Sequence, residues 1–156
     1  MAFADMFLKI PGVTGESSDA DHKGEIQLVG WSWGMRVPHN AAGAATGRRS
    51  VDEMNIVKRV DKASTTLMGY LDTNKLVSQA LLTVRKAGSN PLEYVKVTME
   101  RVRVTSVHVE SVESELVERV ALAFSKVTID YVPQQDATGA AGGGASTFVT
   151  DVGAGG

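Results

Sequence analysis

The sequence predicts a mainly β domain with one short helix. Three observations carry this. Apolar residues recur at every second position in several segments, turn-forming residues separate those segments, and only one stretch departs to helical spacing. A small closed barrel or a tight sandwich of antiparallel strands suits that pattern. At 156 residues the chain is long enough to bury a core without metals or disulfides.

Met6, Leu8 and Ile10 alternate with Asp5, Phe7 and Lys9, which defines a first strand that Pro11-Gly12 ends. Residues 14–24 are polar with two glycines and read as a loop. Ile26 and Leu28 open a second strand through Val29, Trp31 and Trp33, with a phase slip between Leu28 and Val29 that calls for a bulge or for burial on both faces. Residues 35–50 form a long Gly- and Ala-rich loop. A third strand, Val51 to Val60, carries Met54, Ile56 and Val60 in phase.

Ser64 is placed to cap the helix, with Leu67, Met68 and Leu71 on one side and Asp72-Thr73-Asn74 at its end. Ala80, Leu82 and Val84 mark another strand, and residues 87–91 a turn. From Leu92 the alternation slips twice: Val95, Val97 and Met99 share one parity, Val102 and Val104 the other, and Val107 and Val109 return to the first. Between Val117 and Val132 the phase also changes, from Val120, Leu122 and Phe124 to Val127, Ile129 and Tyr131. A strand that curves strongly, as in a closing barrel, accounts for such slips. The chain divides into a β domain over residues 1–133 and a segment 134–156 made of a Gly/Ala-rich link, a short last strand near Thr147-Phe148-Val149, and a flexible tail.

Composition excludes several function classes. There are no cysteines, and sixteen basic against eighteen acidic residues give a net charge of −2. No basic stripe suits nucleic acid, no apolar run reaches membrane-spanning length, and the first residues lack the pattern of a secretory signal. His22, His39 and His108 have no metal-ligand spacing. The Asp19-Asp21-His22 loop lacks the spaced ligands of a calcium site. Glu110, Glu113, Glu115 and Glu118 could in principle form an acid–base pair, but a polar connection between strands is the simpler reading. No nucleophile elbow or phosphate loop is present. No catalytic residue, metal or cofactor is therefore expected. Trp31 and Trp33, two apart on one strand face, suit either core packing or a subunit contact.

The order of short motifs is informative beyond composition. Asp5-Met6-Phe7-Leu8-Lys9-Ile10, Gly15-Glu16-Ser17, Trp31-Ser32-Trp33-Gly34, Val60-Asp61-Lys62-Ala63-Ser64, Leu82-Thr83-Val84-Arg85-Lys86-Ala87-Gly88, Glu93-Tyr94 and Val120 to Tyr131 succeed one another along the chain. In that order they resemble the hemolysin-coregulated protein family (Hcp), the inner-tube proteins of the bacterial type VI secretion system. The resemblance implies a barrel of two sheets that forms hexameric rings. The rings stack into a tube inside a sheath behind a tip, and the tube is expelled when the sheath contracts. It also implies carriage of effector proteins in the ring lumen, residence in the cytoplasm before firing, and release without a signal peptide.

By position, the resemblance makes the loop of residues 35–50 a subunit- or ring-contacting element, and its weak anchoring through Ala41, Ala42, Gly43, Ala44, Ala45 and Gly47 predicts that it orders mainly on assembly. The subunit-contact candidates are Trp31, Trp33, Arg36, Val37, Arg48 and Arg49. It places Glu110, Ser111, Glu113, Ser114 and Glu115 near the channel, where an acidic lumen favours basic cargo. The competing readings are a tube protein of another phage-like contractile system, a monomeric barrel that binds a small ligand, and a hydrolytic effector using the Glu110–Glu118 carboxylates.

Overall fold

The structure is a computed structural model that describes residues 4–86, 92–133 and 144–154. Its elements are β1 (Ala4–Lys9), β2 (Ile26–Gln27), β3 (Gly30–Ser32), β4 (Met35–Arg36), β5 (Ser50–Val51), β6 (Met54–Arg59), α1 (Ala63–Asp72), β7 (Val77–Lys86), β8 (Glu93–Val112), β9 (Glu115–Ala123), β10 (Lys126–Tyr131) and β11 (Ser146–Asp151), with a 3-10 turn at Val152–Ala154 after them. The turn expected at 87–91 and the link from residue 134 to 143 lie outside the described residues.

The expected closed barrel does not form. One nine-stranded sheet runs β2-β1-β7-β8-β9-β6-β3, with β10 pairing β8 and β11 pairing β10, and β4 and β5 make a separate two-stranded sheet. Closure needs a continuous ladder between the end strands. Here those ends, β2 and β3, are consecutive stretches of chain. Between them the Leu28 amide donates to Met6 O and the Val29 amide to Val57 O. The chain therefore crosses from one end of the sheet to the other at this point, and β2 and β3 do not pair. This crossing is the phase slip expected between Leu28 and Val29.

The slips along the other long strands have physical counterparts. Residues 93–102 of β8 pair with β7 and residues 95–100 also with β10, whereas residues 103–112 pair with β9. Near the junction Arg101 adopts φ +58°, a left-handed conformation, and the buried positions change parity there from Val97 and Met99 to Val102 and Val104, while the β7–β8 register continues unshifted from Gln79–Glu100 to Val77–Val102. A second irregularity between Val104 and Ser106 restores the earlier parity. The phase change after Phe124 is a break between β9 and β10, where the Ser125 amide donates to Glu100 O.

The concave face collects Leu8, Ile26, Met54, Ile56, Leu67, Leu82, Val97, Met99, Val102, Val120, Leu122 and Val127, all essentially without solvent contact. α1 lies against β8. Its buried side is Ala63, Ser64 and Leu67, while Met68 and Leu71 are 40% and 37% exposed, so the side expected from sequence is only one residue correct. Ser64 does not cap from outside the helix. It sits in the first turn, its Oγ accepts the Asp61 amide at 3.0 Å, and Asp61 Oδ1 accepts the Ala63 amide at 2.9 Å.

Residues 14–25 are a loop, as expected over 14–24, with Gly15, Ser17 and His22 buried in it. They fold over the convex face of β1 and β7, and Phe7, Thr83 and Arg85 are buried beneath them. Gly15 N donates to Gly24 O at 2.7 Å, and Ser17 N to Glu25 O at 3.0 Å. A Cβ on Gly15 would stand 2.4 Å from Glu25 O, so only glycine permits this approach.

Candidate functional site and assembly surfaces

The polar stretch around Glu110 to Glu115 is a tight hairpin rather than an extended loop. β8 runs to Val112 and β9 starts at Glu115, which leaves a two-residue turn of Glu113 and Ser114. Both have positive φ, +49° and +68°, as the twist-compatible hairpin turn requires. Glu110, Ser111 and Glu115 are strand residues, and with Glu113 and Ser114 they do share one end of the molecule. The acidity there is partly balanced: Arg119 Nε donates to Glu110 Oε1 at 3.0 Å, and Arg59 Nε lies 3.7 Å from Glu115 Oε2.

Glu118 is separate from this group. It is fully buried, and Lys58 Nζ, also fully buried, lies 3.2 Å from its Oε1. Lys58 further contacts Asp61 Oδ1 at 2.8 Å and Ser64 Oγ at 3.0 Å, which pins the start of α1 to β6 and β9. Glu118 is thus a structural ion, pointing away from the other three carboxylates.

Strand register puts Ser32, Asn55, Ala121 and Ser106 in one row on the convex side of the sheet, beside Val57, Arg119 and His108. The face is small-residue and polar, and Glu110 continues it towards the hairpin tip. Sequence reading missed it, although its residues are the ones alternating with Ile56, Val120 and Leu122.

Trp31 and Trp33 are both half-buried and pack against the core, so core packing is one part of their role. The Nε1 of Trp33 is buried with no hydrogen-bond partner among the described residues. Residues 35–51 form an arm with its own bonding. β4 and β5 pair Met35 with Val51 and Arg36 with Ser50. At its tip Asn40 Oδ1 accepts the amides of Ala42 and Ala44, both at 3.0 Å. Arg36 and Val37 are exposed, and Arg36 reaches Asp52 at 3.4 Å. Arg48 is exposed, whereas Arg49 turns back and donates to the carbonyls of Asp151 and Val152. Arm and last strand are thereby joined.

Among the described residues no group of three or more His, Cys, Asp or Glu side chains is placed to hold a metal ion. The concave side is filled by side chains. An apolar surface groove of about 490 Å³ lies outside the core between α1 and β8, lined by Met68, Leu71, Val107 and Val109.

Comparison with known proteins identifies the family to which this fold belongs. Residues 7–131 match the family model described as type VI secretion system effector, Hcp. The chain belongs to the Hcp family. It is 41% identical over 146 residues to protein hcp1 of Pseudomonas aeruginosa, covering 90% of each chain. Its fold superposes on the crystal structure of Hcp1 from Salmonella typhimurium with a TM-score of 0.80 at 35% identity, over 99% of this chain and 98% of that one. A type VI secretion system effector from Yersinia pestis gives a TM-score of 0.75 at 32% identity, over 95% and 100% of the two chains. Hcp proteins are secreted, structural components of type VI secretion rather than a family of enzymes. The arm, the polar convex face and the acidic hairpin all fall inside the Hcp match, whereas β11 lies beyond it. No helix of the described residues is long and apolar enough to cross a membrane.

Proposed function

We propose that this chain is the structural subunit of a type VI secretion tube. It forms hexameric rings, and the rings stack into a tube that sheath contraction expels together with its tip. Membership of the Hcp family over most of the chain carries this reading. The shape supports it: among the described residues the sheet is open, and β3 and β11 each pair on one side only, so strand edges remain for neighbours. A ring requires that one patch meet a different patch through a rotation that closes. Trp31, Trp33 and the arm residues Arg36, Val37 and Arg48 serve as the subunit contacts, with Arg49 holding the arm in place.

The convex polar face suits the lumen, and the hairpin of Glu110, Ser111, Glu113, Ser114 and Glu115 lies at its rim. In this reading the ring holds effector proteins, takes no cofactor and performs no reaction. It waits in the cytoplasm until firing and then leaves with the tube. Glu113, which has no ion-pair partner among the described residues, keeps the rim acidic and inclines it to basic cargo. The triple change of Glu110, Glu113 and Glu115 to Gln tests this: weaker cargo retention supports the acidic rim, and unchanged retention removes it.

Native mass spectrometry with negative-stain imaging tests the ring itself. A mass about six times that of one chain, with open circular particles, is the expected result. A monomer at high concentration that binds a small molecule would instead favour the ligand-binding reading.

A further inference from the structure

The loop of residues 14–25 closes on a histidine whose two ring nitrogens both face carboxylates. His22 Nδ1 lies 2.9 Å from Glu25 Oε2, and Nε2 lies 2.6 Å from Glu93 Oε1. The residue is 7% exposed, and its ring stacks on Phe7 with centroids 4.3 Å apart and planes within 7°. An ionised carboxylate only accepts hydrogen bonds, and a neutral imidazole has one N–H. Satisfying both contacts therefore takes two ring protons.

We propose that His22 is a proton-operated latch, which in its imidazolium form ties the 14–25 loop to the start of β8 and on losing a proton frees that loop from the convex face. The loop is the part able to respond. Three backbone bonds close the loop on itself (Gly15 N–Gly24 O, Ser17 N–Glu25 O, Gly24 N–Ser17 O), and beyond the latch it is tied to the rest of the molecule by Arg85 on Asp19 and Asp21 and by the Lys62 amide, which donates to Glu16 Oε2 at 2.7 Å. The charges around the latch are Glu25, Asp19 and Asp21 in the loop itself, Glu93 and Lys96 on β8, Arg85 on β7 and Asp5 on β1. Arg85 is itself engaged by Asp19 and Asp5, and its guanidinium carbon lies 5.0 Å from the Phe7 ring centroid. Of the two carboxylates on His22, Glu93 is shared with Lys96, whose Nζ lies 3.3 Å from its other oxygen.

The direction is set by the proton count. The latch is complete while both ring nitrogens of His22 carry a proton and is lost when one of those protons leaves. Opening would uncover Phe7, Thr83 and Arg85 beside the β7–β8 end of the molecule.

The test is amide hydrogen exchange at Gly15, Ser17 and Gly24 in the whole protein, corrected for intrinsic exchange, with imidazole 15N shifts recorded on the same samples. The pH is varied over roughly 5.5–8.5, which spans the titration of histidine. Two protonated His22 nitrogens at the acidic end are expected, with protection falling by about tenfold or more as one proton leaves, in line with loss of a charge-assisted hydrogen bond. Glu93→Gln should move that opening to lower pH while the core amides of β7 keep their protection. A singly protonated His22 throughout, or protection unaltered across its titration, would overturn the proposal.

Discussion

Lys58 and Glu118, sixty residues apart in sequence, meet as a fully buried ion pair with Nζ 3.2 Å from Oε1. The pair orients β6, β9 and α1 together, and Asp61 and Ser64 complete the coordination of the ammonium. Removing one member leaves a buried charge without its counter-ion. Lys58→Met alone should cost about 3–5 kcal/mol, whereas Lys58→Met with Glu118→Leu should recover much of that loss. Urea denaturation of the single and double variants measures the difference.

The hairpin tip should respond in the opposite sense. Glu113 and Ser114 both hold left-handed backbone, which costs roughly 1 kcal/mol or more for a residue with a side chain. Ser114→Gly, and Glu113→Asn with it, should stabilise the hairpin by about 1 kcal/mol in all. Thermal melts would register this as a raised midpoint.

Gly15→Ala is expected to do more damage than a surface methyl group normally does. The new carbon would meet the Glu25 carbonyl and the Ile26 Cα at 2.4 and 2.7 Å, and backbone has little room to yield. A loss of about 1–3 kcal/mol is expected. Faster exchange at the Ser17 and Gly24 amides would trace the loss to the loop.

Acid should loosen the same region from another direction. The hydrogen bond from Arg85 holds the Asp19 carboxyl below its ordinary 3.8. Burial pushes Glu93 up, but the contacts of His22 and Lys96 outweigh it and leave that carboxyl below 4.5. A carboxylate depressed in the fold stabilises above its unfolded value and ceases to do so as pH falls through the folded one. Stability should therefore decline as pH drops below about 4.5. Asp19→Asn should flatten part of that decline in denaturation curves taken from about pH 7 down to about pH 3, which spans carboxylate titration.

Arg49→Met should release the arm from the Asp151 and Val152 carbonyls with little change in global stability, since the contact lies at the surface. Protease sensitivity within residues 35–51 is the readout. Rapid cleavage with an unchanged melting temperature is expected.

Much of this fold was legible because alternation reports burial. The displaced parities at Met99–Val102 and Val104–Val107 correspond to the left-handed Arg101 and to the register shift between Val104 and Ser106. The illegible part depends on contacts between distant segments. The parity of Phe7 matched that of Asp5 and Lys9, so nothing local showed that His22 and Arg85 would cover it. Closure of the barrel depended on whether β2 and β3 would pair, and no pattern within either short strand encodes that. The acidic hairpin was recognised as a charge cluster. Its two-residue turn was not, because Glu-Ser is an unusual occupant of positions that Asn-Gly normally fills.

The left-handed residue in the middle of β8 limits how such a chain can be lengthened or shortened. β8 is a single 20-residue strand that belongs to both halves of the sheet. One residue added or removed between Glu100 and Ser106 would swap inside for outside along the whole distal hairpin and leave the proximal half unaltered. Length variation is therefore tolerable at the arm and at the strand-connecting ends, and intolerable at the bend. Foreign sequence, whether grafted by design or acquired by descent, has its permissive positions at those ends.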